Sequence, residues 1–462
     1  MRRVGLVIGT VALLAAACGA FAQTTFTWQG SCGTEWWYDT CAIGTCGNNN
    51  EYTLRRNNWG SVRCSLYGSP AFPGSGDTAI IPSGFTVRIN GSVTVGRIVV
   101  QPGATLIWAS GNLNVGELVN EGTLEWANGD AWDFGGTVVN RGTWRKTTGY
   151  SVRLNNATLR NAASGVLELQ RGWIGLNSGT TTLQNDGLIK KVSPDPNNPT
   201  SASISGFPVT NRGRIEVVSG ILNLTTLTQT DGETRIHRNA FLNLSNPLTL
   251  QGGKLTGAGQ LNGAVANSTG NATFAAGIDD PDQSDLNPLG ILTLNGNLTQ
   301  NNDTVVEVEL AGTDNSDPAN PQYDQLVVIG ASGRTVQLNG TLRVKGRNGF
   351  LPQAGDTFDI LVRSGSSWNA TGGFRRVEVD PNTLPCVGFE VQYLADRVRL
   401  VAQTLGGPDV NRDGCVDDAD LLAVLFAFGQ TGGGLAEDVT CDGVVDDADL
   451  LGVLFNFGNG CG

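Results

Sequence analysis

Between residues 118 and 215 one short motif keeps returning: an apolar residue, any residue, Asn, any residue, Gly, any residue, an apolar residue. It reads Leu118-Val119-Asn120-Glu121-Gly122-Thr123-Leu124, then Val138 to Trp144 around Asn140, Leu183 to Ile189 around Asn185, and Val209 to Ile215 around Asn211. A degenerate copy holds Leu159-Arg160-Asn161. The asparagines at 120, 140, 161, 185 and 211 are spaced by 20, 21, 24 and 26 residues. A period in the low twenties suits one coil of a β-solenoid, in which each strand turns apolar side chains onto a stacked core. The Asn-x-Gly then marks the same corner of every coil. Gly can take the left-handed backbone there, and Asn tolerates it or hydrogen-bonds locally. Leu118, Leu124, Val138, Trp144, Leu183, Ile189, Val209 and Ile215 become the expected core. About ten coils at roughly 4.8 Å each give a rod on the order of 50 Å. A set of loose hairpins is the competing explanation.

The rest of the body agrees with short strands. Alternating runs such as Phe85-Thr86-Val87-Arg88-Ile89 and Ser92-Val93-Thr94-Val95 are punctuated by Gly or Asn, and helical periodicity is absent before the tail. From about 250 to 375, segments such as Gly290-Ile291-Leu292-Thr293-Leu294-Asn295-Gly296 and Val305-Val306-Glu307-Val308-Glu309-Leu310 resemble the C-terminal passenger region of right-handed β-helix autotransporters and related adhesins. That resemblance implies a right-handed parallel β-helix. No transmembrane barrel follows it.

The first residues read as a bacterial secretory signal. Arg2 and Arg3 precede an apolar stretch from Val4 to Ala17, and Ala20-Phe21-Ala22 is a small-x-small cleavage site. Cleavage after Ala22 makes the protein secreted or displayed at the cell surface; lipidation of Cys18 is the alternative. No other stretch is long and apolar enough to span a bilayer. Eight cysteines then remain in an oxidising compartment. Cys32, Cys41, Cys46 and Cys64 cluster with Trp28, Trp36, Trp37 and Trp59, as in a disulfide-pinned cap over a solenoid end. Three pairings are open to these four. Their spacings lack the paired C-x2-C knuckles of a zinc site.

The tail carries a second repeat. Residues 409–420 and 438–449 are two acidic loops, each followed by an apolar run, offset by 29. Oxygen side chains occupy loop positions 1, 3, 5, 9 and 12, with Gly at position 6. That is the spacing a chain needs to wrap one calcium ion, with Gly permitting the sharp turn. The formal net charge is −12, and from Leu405 onward eleven acids face the single base Arg412, an excess of ten. The body is therefore nearly neutral, which argues against a nucleic-acid partner.

These loops resemble the dockerin module of secreted bacterial proteins. No helix precedes Asp409, Asp rather than Glu stands at position 12, and the ending Asn459-Gly460-Cys461-Gly462 is similar to that of a subtype closing in Gly-Cys. The resemblance covers roughly residues 405–462. It implies two calcium ions. Their ligands would be Asp409, Asn411, Asp413, Asp417 and Asp420 with the Cys415 carbonyl, and Asp438, Thr440, Asp442, Asp446 and Asp449 with the Val444 carbonyl. Thr440 is a poorer ligand than the usual Asn or Asp. The resemblance also implies that Cys415 pairs with Cys461, with Cys386 and Cys441 then left to each other. Asp418-Ala419 and Asp447-Ala448 would face a cohesin-like or cell-surface partner in two equivalent orientations.

The resulting plan is a mostly β protein: signal peptide 1–22, Cys/Trp-rich cap 23–75, β-solenoid 76–300, C-terminal β region 301–402, linker 403–408 and a dockerin-like domain 409–462 with its helices. Signs of catalysis are few. The one histidine, His237, sits between Arg235 and Arg238 on a polar stretch and is expected at the surface. Trp126 and Trp132 lie beside Glu125, Asp130 and Asp133, with Trp108, Trp144 and Trp173 on nearby coils. They read as coil-stacked aromatics, the alternative being a sugar-binding face. The loop from Asp279 to Asp285 reads as a bulge rather than a calcium site. The whole reads as a non-catalytic, adhesin-like or matrix β-helix protein docked by its tail. The alternative is a dockerin-bearing lyase or glycoside hydrolase, or a carbohydrate-binding protein, acting on polysaccharide.

Overall fold

The computed structural model describes residues 25–29, 40–46, 52–57, 62–64 and 72–461, apart from positions 128, 196, 267–269, 279–287, 331–332, 366–368 and 433. The leader, Cys18, Cys32, the 279–285 loop and the side chains of Cys41, Cys46 and Cys64 lie outside the described residues.

Alternation dictates the local structure. In Thr123–Trp126 the side chains of Leu124 and Trp126 are fully buried while Thr123 and Glu125 face outward. The neighbouring coil repeats the choice, so like positions stack. Leu106 lies over Leu124, Leu124 over Trp144, Trp144 over Leu167, Leu167 over Ile189, and Ile189 over Ile215, all in parallel register. Burying each such side chain contributes about 1.5–3 kcal/mol.

The chain alternates between two parallel sheets. Thr86–Asn90 belongs to one, Val93–Val100 to the other, Thr105–Ser110 to the first again, and so on. Among the described residues the first sheet has 13 strands and the second 22. One strand of the 13 belongs to each coil, so the described residues make thirteen coils spanning roughly 60 Å at about 4.8 Å per step. That exceeds the expected ten. The coil is also not constant. It takes 18 residues from Thr105 to Thr123 and 26 from Leu188 to Arg214, then 32 from Thr273 to Val305 and 36 from Val305 to Thr341. The expected change at residue 301 therefore falls where the coils lengthen, within one continuous stack.

Both ends of the second sheet are covered. Thr25–Thr27 adds a parallel strand to Thr78–Ile81, and Trp28 behind it is only 2% exposed. The antiparallel strands Thr40–Cys46, Tyr52–Asn57 and Val62–Cys64 form a separate small sheet in the expected cap region. At the far end Val387–Tyr393 and Arg397–Thr404 form an antiparallel pair laid against Thr357–Gly365. The pair occupies the edge of Thr357–Gly365, which would otherwise offer its unpaired backbone groups to another chain.

The Asn-x-Gly corner is built differently from expectation. Asn120, Asn140, Asn161, Asn185 and Asn211 are all completely buried. Each of the first four donates Nδ2 to Oδ1 of the asparagine one coil on, at 2.7 Å. Asn211 passes the ladder to Gln229 at 3.4 Å. Val100 and Leu250 hold the same column above and below, so the ladder is a polar segment in an otherwise apolar stack. The motif glycines 122, 142, 187 and 213 do not take the left-handed backbone. They are required by space: a Cβ at Gly142 would lie 2.2 Å from the Gly122 carbonyl oxygen, and one at Gly213 2.1 Å from that of Gly187.

Candidate functional site

The tail is the part of the molecule whose chemistry the fold does not consume. It has two helices, α1 (Asp418–Ala427) and α2 (Asp447–Phe455). Asp417 caps α1 by accepting from the Ala419 amide at 2.9 Å, and Asp420 reaches back to the Asp417 amide at 3.0 Å. Asp446 and Asp449 do the same for α2, both at 2.8 Å. Positions 9 and 12 of each loop thus form a capping box, and carboxylates there also suit the positive end of the helix dipole.

The two loops share one internal pattern. The position 1 acids accept from the position 6 glycines, Asp409 from Gly414 at 3.0 Å and Asp438 from Gly443 at 2.8 Å. The position 12 acids close each loop onto position 3, Asp420 on the Asn411 amide at 2.9 Å and Asp449 on the Thr440 amide at 2.8 Å. Asp413 and Asp442 accept from Cys415 and Val444. The backbone turns are the same too. Arg412 and Cys441 at position 4 have φ of 61° and 64°, and Gly414 and Gly443 have φ of 92° and 88°. Here, unlike the solenoid corner, glycine is needed for its conformation.

The loops carry the hard oxygen donors that calcium prefers. Oδ1 of Asp409 is buried and has no hydrogen-bond partner. Burial is the largest influence on Asp438, whose carboxyl is pushed up from the ordinary range; the charge of the buried Asp449 adds to the shift, and amide hydrogen bonds oppose it. Excess anionic oxygens at close quarters are what a bound cation relieves. Among the described residues no three His, Cys, Asp or Glu side chains are gathered as a metal-binding group. The loop carboxylates are turned onto their own backbone amides.

The repeats are packed reciprocally. Val416 of loop one exchanges backbone hydrogen bonds with Gly458 and Asn459 behind α2, while Val445 of loop two bonds Gly429 and Gln430 behind α1. Cys415 is thereby brought to the chain end, and a disulfide joins it to Cys461 with the Cα atoms 4.5 Å apart. A second disulfide joins Cys386 of the body to Cys441, Cα atoms 5.2 Å apart. Asp418, Ala419, Asp447 and Ala448 are all exposed.

The expected linker at 403–408 is not free. Residues 403 and 404 complete strand Arg397–Thr404, and Leu405 is buried with its amide on the Cys386 carbonyl at 2.7 Å. A Cβ at Gly406 would fall 2.4 Å from Cys386 Sγ, and one at Gly443 3.3 Å from Pro381. Loop two is therefore seated against the end of the solenoid, which explains why Asp438 is the more buried of the two position 1 acids.

In the body, Trp108, Trp126 and Trp144 are fully buried and packed edge to face, 5.4 and 4.6 Å between successive ring centroids. They are core, and no sugar can reach them. Asp133 is held by Arg153 of the next coil. His237 is not at the surface: it is 9% exposed, lies just past strand Glu233–Ile236, and is bonded to Glu216 of the preceding coil at 2.8 Å. Burial works against Glu216, yet the His237 hydrogen bond and charge, with Lys190 and Arg235, hold its carboxyl below the usual value.

One cleft of about 460 Å³ was not foreseen. Glu233, Lys254, Glu307, Glu309, Asp324 and Lys345 help to line it. Asp324 is 1% exposed; burial first, then the neighbouring Glu309, raises its carboxyl well above the ordinary range. Its two oxygens accept the Gly290 and Glu309 amides. Glu307 and Glu309 are paired with Lys345 and Arg347, and no tryptophan lines the cleft. The sequence signal was the strand Val305–Leu310, with glutamates at alternate positions; Asp324 became its neighbour only through folding.

No family model matches the chain, and no curated protein matches it. Among the described residues no helix is long and apolar enough to cross a membrane.

Proposed function

We propose that the protein is a non-catalytic extracellular or cell-surface β-helix protein, held to a partner by a calcium-dependent dockerin-like module at residues 409–462. The observation that carries this reading is the identity of the two loops: the same caps, the same position 1 to 6 and 12 to 3 closures, and the same left-handed turns. Two calcium ions would be held by Asp409, Asn411, Asp413, Asp417, Asp420 and the Cys415 carbonyl, and by Asp438, Thr440, Asp442, Asp446, Asp449 and the Val444 carbonyl. The ion would supply the positive charge that these carboxylates lack, of which Asp420, Asp438 and Asp449 are buried. A small core of Val410, Val416, Val424, Ala427, Val445 and Val453 makes such added stabilisation necessary. The two disulfides fit an oxidising compartment. Calorimetric titration of the intact protein should find two calcium ions per chain, and Asp420→Ala with Asp449→Ala should remove both. A titration without heat, in protein freed of metal, would refute the calcium reading.

The alternative, an enzyme or carbohydrate-binding protein acting on polysaccharide, draws on the Asp324–Glu309 cleft, where burial raises the Asp324 carboxyl beside a second acid. The ion pairs that occupy Glu307 and Glu309 favour a structural role. Release of sugars or unsaturated products from plant or bacterial polysaccharides, abolished by Asp324→Asn, would reverse that preference.

A further inference from the structure

The two loops share their ligand pattern but not their surroundings. The contrast is plain at position 4. Arg412 in loop one and Cys441 in loop two both hold the left-handed backbone, with φ of 61° and 64°. That conformation is strained for residues other than glycine. In loop one the side chain is a long cation that reaches Gln403 Oε1 at 3.4 Å. In loop two it is a disulfide sulfur, tied to Cys386 of the solenoid. Loop two also rests on the solenoid's end and on the chain that leaves it. The Gly407 amide bonds the Val439 carbonyl at 3.4 Å, and a Cβ at Gly443, the position 6 glycine, would stand 3.3 Å from Pro381.

Charge and burial differ in the same direction. Loop one, residues 409–420, has five acids and the base Arg412; loop two, residues 438–449, has five acids and no base. Asp438 at position 1 is 6% exposed, while Asp409 is only half-buried. A carboxylate attracts a cation more strongly where water is excluded, and folding has already desolvated Asp438. Calcium affinity in such loops follows ligand charge and rigidity. Two observations stand against loop two. Thr440 offers a hydroxyl where loop one offers the Asn411 amide oxygen. Asp438 Oδ1 already accepts the Asp442 amide at 3.2 Å, whereas Asp409 Oδ1 has no partner. Both effects are small. Each loop brings four carboxylates and one backbone carbonyl to its ion, so Thr440 exchanges one neutral oxygen for another. A carboxylate oxygen that accepts one amide keeps a second lone pair for the metal.

We propose that the end of the solenoid is a working part of the loop-two calcium site: Cys386 and Pro381 position loop two before the ion arrives, so loop two is the tighter of the two sites in spite of Thr440. The proposal rests on the calcium reading above and adds the order in which the sites fill. Calorimetric titration of the intact, metal-free protein with calcium should show two unequal sites. Asp449→Ala should remove the tighter one and Asp420→Ala the weaker. Cys386→Ser with Cys441→Ser should lower the tighter affinity about tenfold, the scale of lost support around a metal's ligands, and leave the weaker within about twofold. Helix content at saturating calcium shows whether that variant folds. Pro381→Gly keeps both disulfides and should lower the same affinity, and it decides the question where the cysteine variant does not fold. Two equal sites, or a tighter loop one, would overturn the proposal and leave the calcium reading standing. So would a loop-two affinity unchanged in the folded cysteine variant, or unchanged in Pro381→Gly where that variant decides. A titration of the intact protein without heat would overturn the calcium reading, and the proposal with it.

Discussion

In the solenoid every inward column finds its continuation one coil on, from Leu106 through Leu124 and Trp144 to Ile215. In the tail the six buried apolar residues end the core, while eight leucine and phenylalanine side chains remain in water. The body is stabilised by repetition, and any coil can lean on two others. The tail has only one repeat to lean on. It makes up the difference with two disulfides, with capping carboxylates and, on the reading proposed above, with ions. The comparison teaches where specificity can be changed cheaply: single residues matter in the tail because little else holds it.

Removing the tail's own staple should have the largest effect. Cys415→Ser with Cys461→Ser opens a bridge across a sequence separation of 46, which stabilises by about 4 kcal/mol in the chain-entropy picture. The expected outcome is a tail that is cleaved rapidly by protease while the body's denaturation midpoint is unchanged. Equal loss of midpoint in both regions would mean that the tail is not a separate unit of stability.

Glycine separates the two regions a second time. Gly142→Val places a branched side chain against the Gly122 carbonyl and should cost about 3 kcal/mol or more, measured by urea unfolding. Gly414→Ala in loop one meets nothing within 4 Å and suffers only from its φ of 92°, so about 1–2 kcal/mol is expected. If the two costs came out alike, crowding and conformation would not be distinct causes.

The asparagine ladder offers a smaller break. Asn161→Ala removes an acceptor from Asn140 and a donor from Asn185 inside a dry stack. Asn185 Oδ1 is left without a donor and Asn140 Nδ2 with the Val166 carbonyl alone, which should cost about 2 kcal/mol. Asn161→Leu should recover part of that, since Val100 and Leu250 show the column accepts apolar residues at its ends. Full stability of the alanine variant would reduce the ladder to a bystander.

Much of this was legible in the chain because repetition averages out local ambiguity. The spacing of Asn120 to Asn211 exposed the coil, and the offset of 29 exposed the paired loops. What stayed hidden depends on which way one corner turns. Whether Asn161 bonds its own turn or the next coil, and whether His237 faces water or Glu216, is decided by stacking partners some twenty residues away. The cleft at Asp324 was hidden for the same reason, since Glu309 and Asp324 meet through a loop rather than a motif. The seating of loop two on Pro381 could not be read at all, because nothing in the spacing of Cys386 and Cys441 says that the intervening strands fold back.

The mildest effect concerns two lysines that the alternation rule turns inward. Lys146 and Lys191 are 1% and 0% exposed, and both are lowered to about 8 by burial. Lys146 donates to the Thr148 carbonyl and hydroxyl oxygens, and Lys191 to Ser193, Thr200 and Ser219 oxygens, so none of these partners is a neutralising carboxylate. An unfolded lysine holds its proton up to about 10.5. Between pH 8 and that value the unfolded chain binds more protons, so stability rises with pH; below 8 both states are charged and the penalty is constant. The body should therefore gain about 1 kcal/mol per lysine from pH 8 to pH 9. The tail holds no lysine and should show no such gain. In Lys146→Met with Lys191→Met the body's slope should flatten, and a slope that persists would place the titrating groups elsewhere.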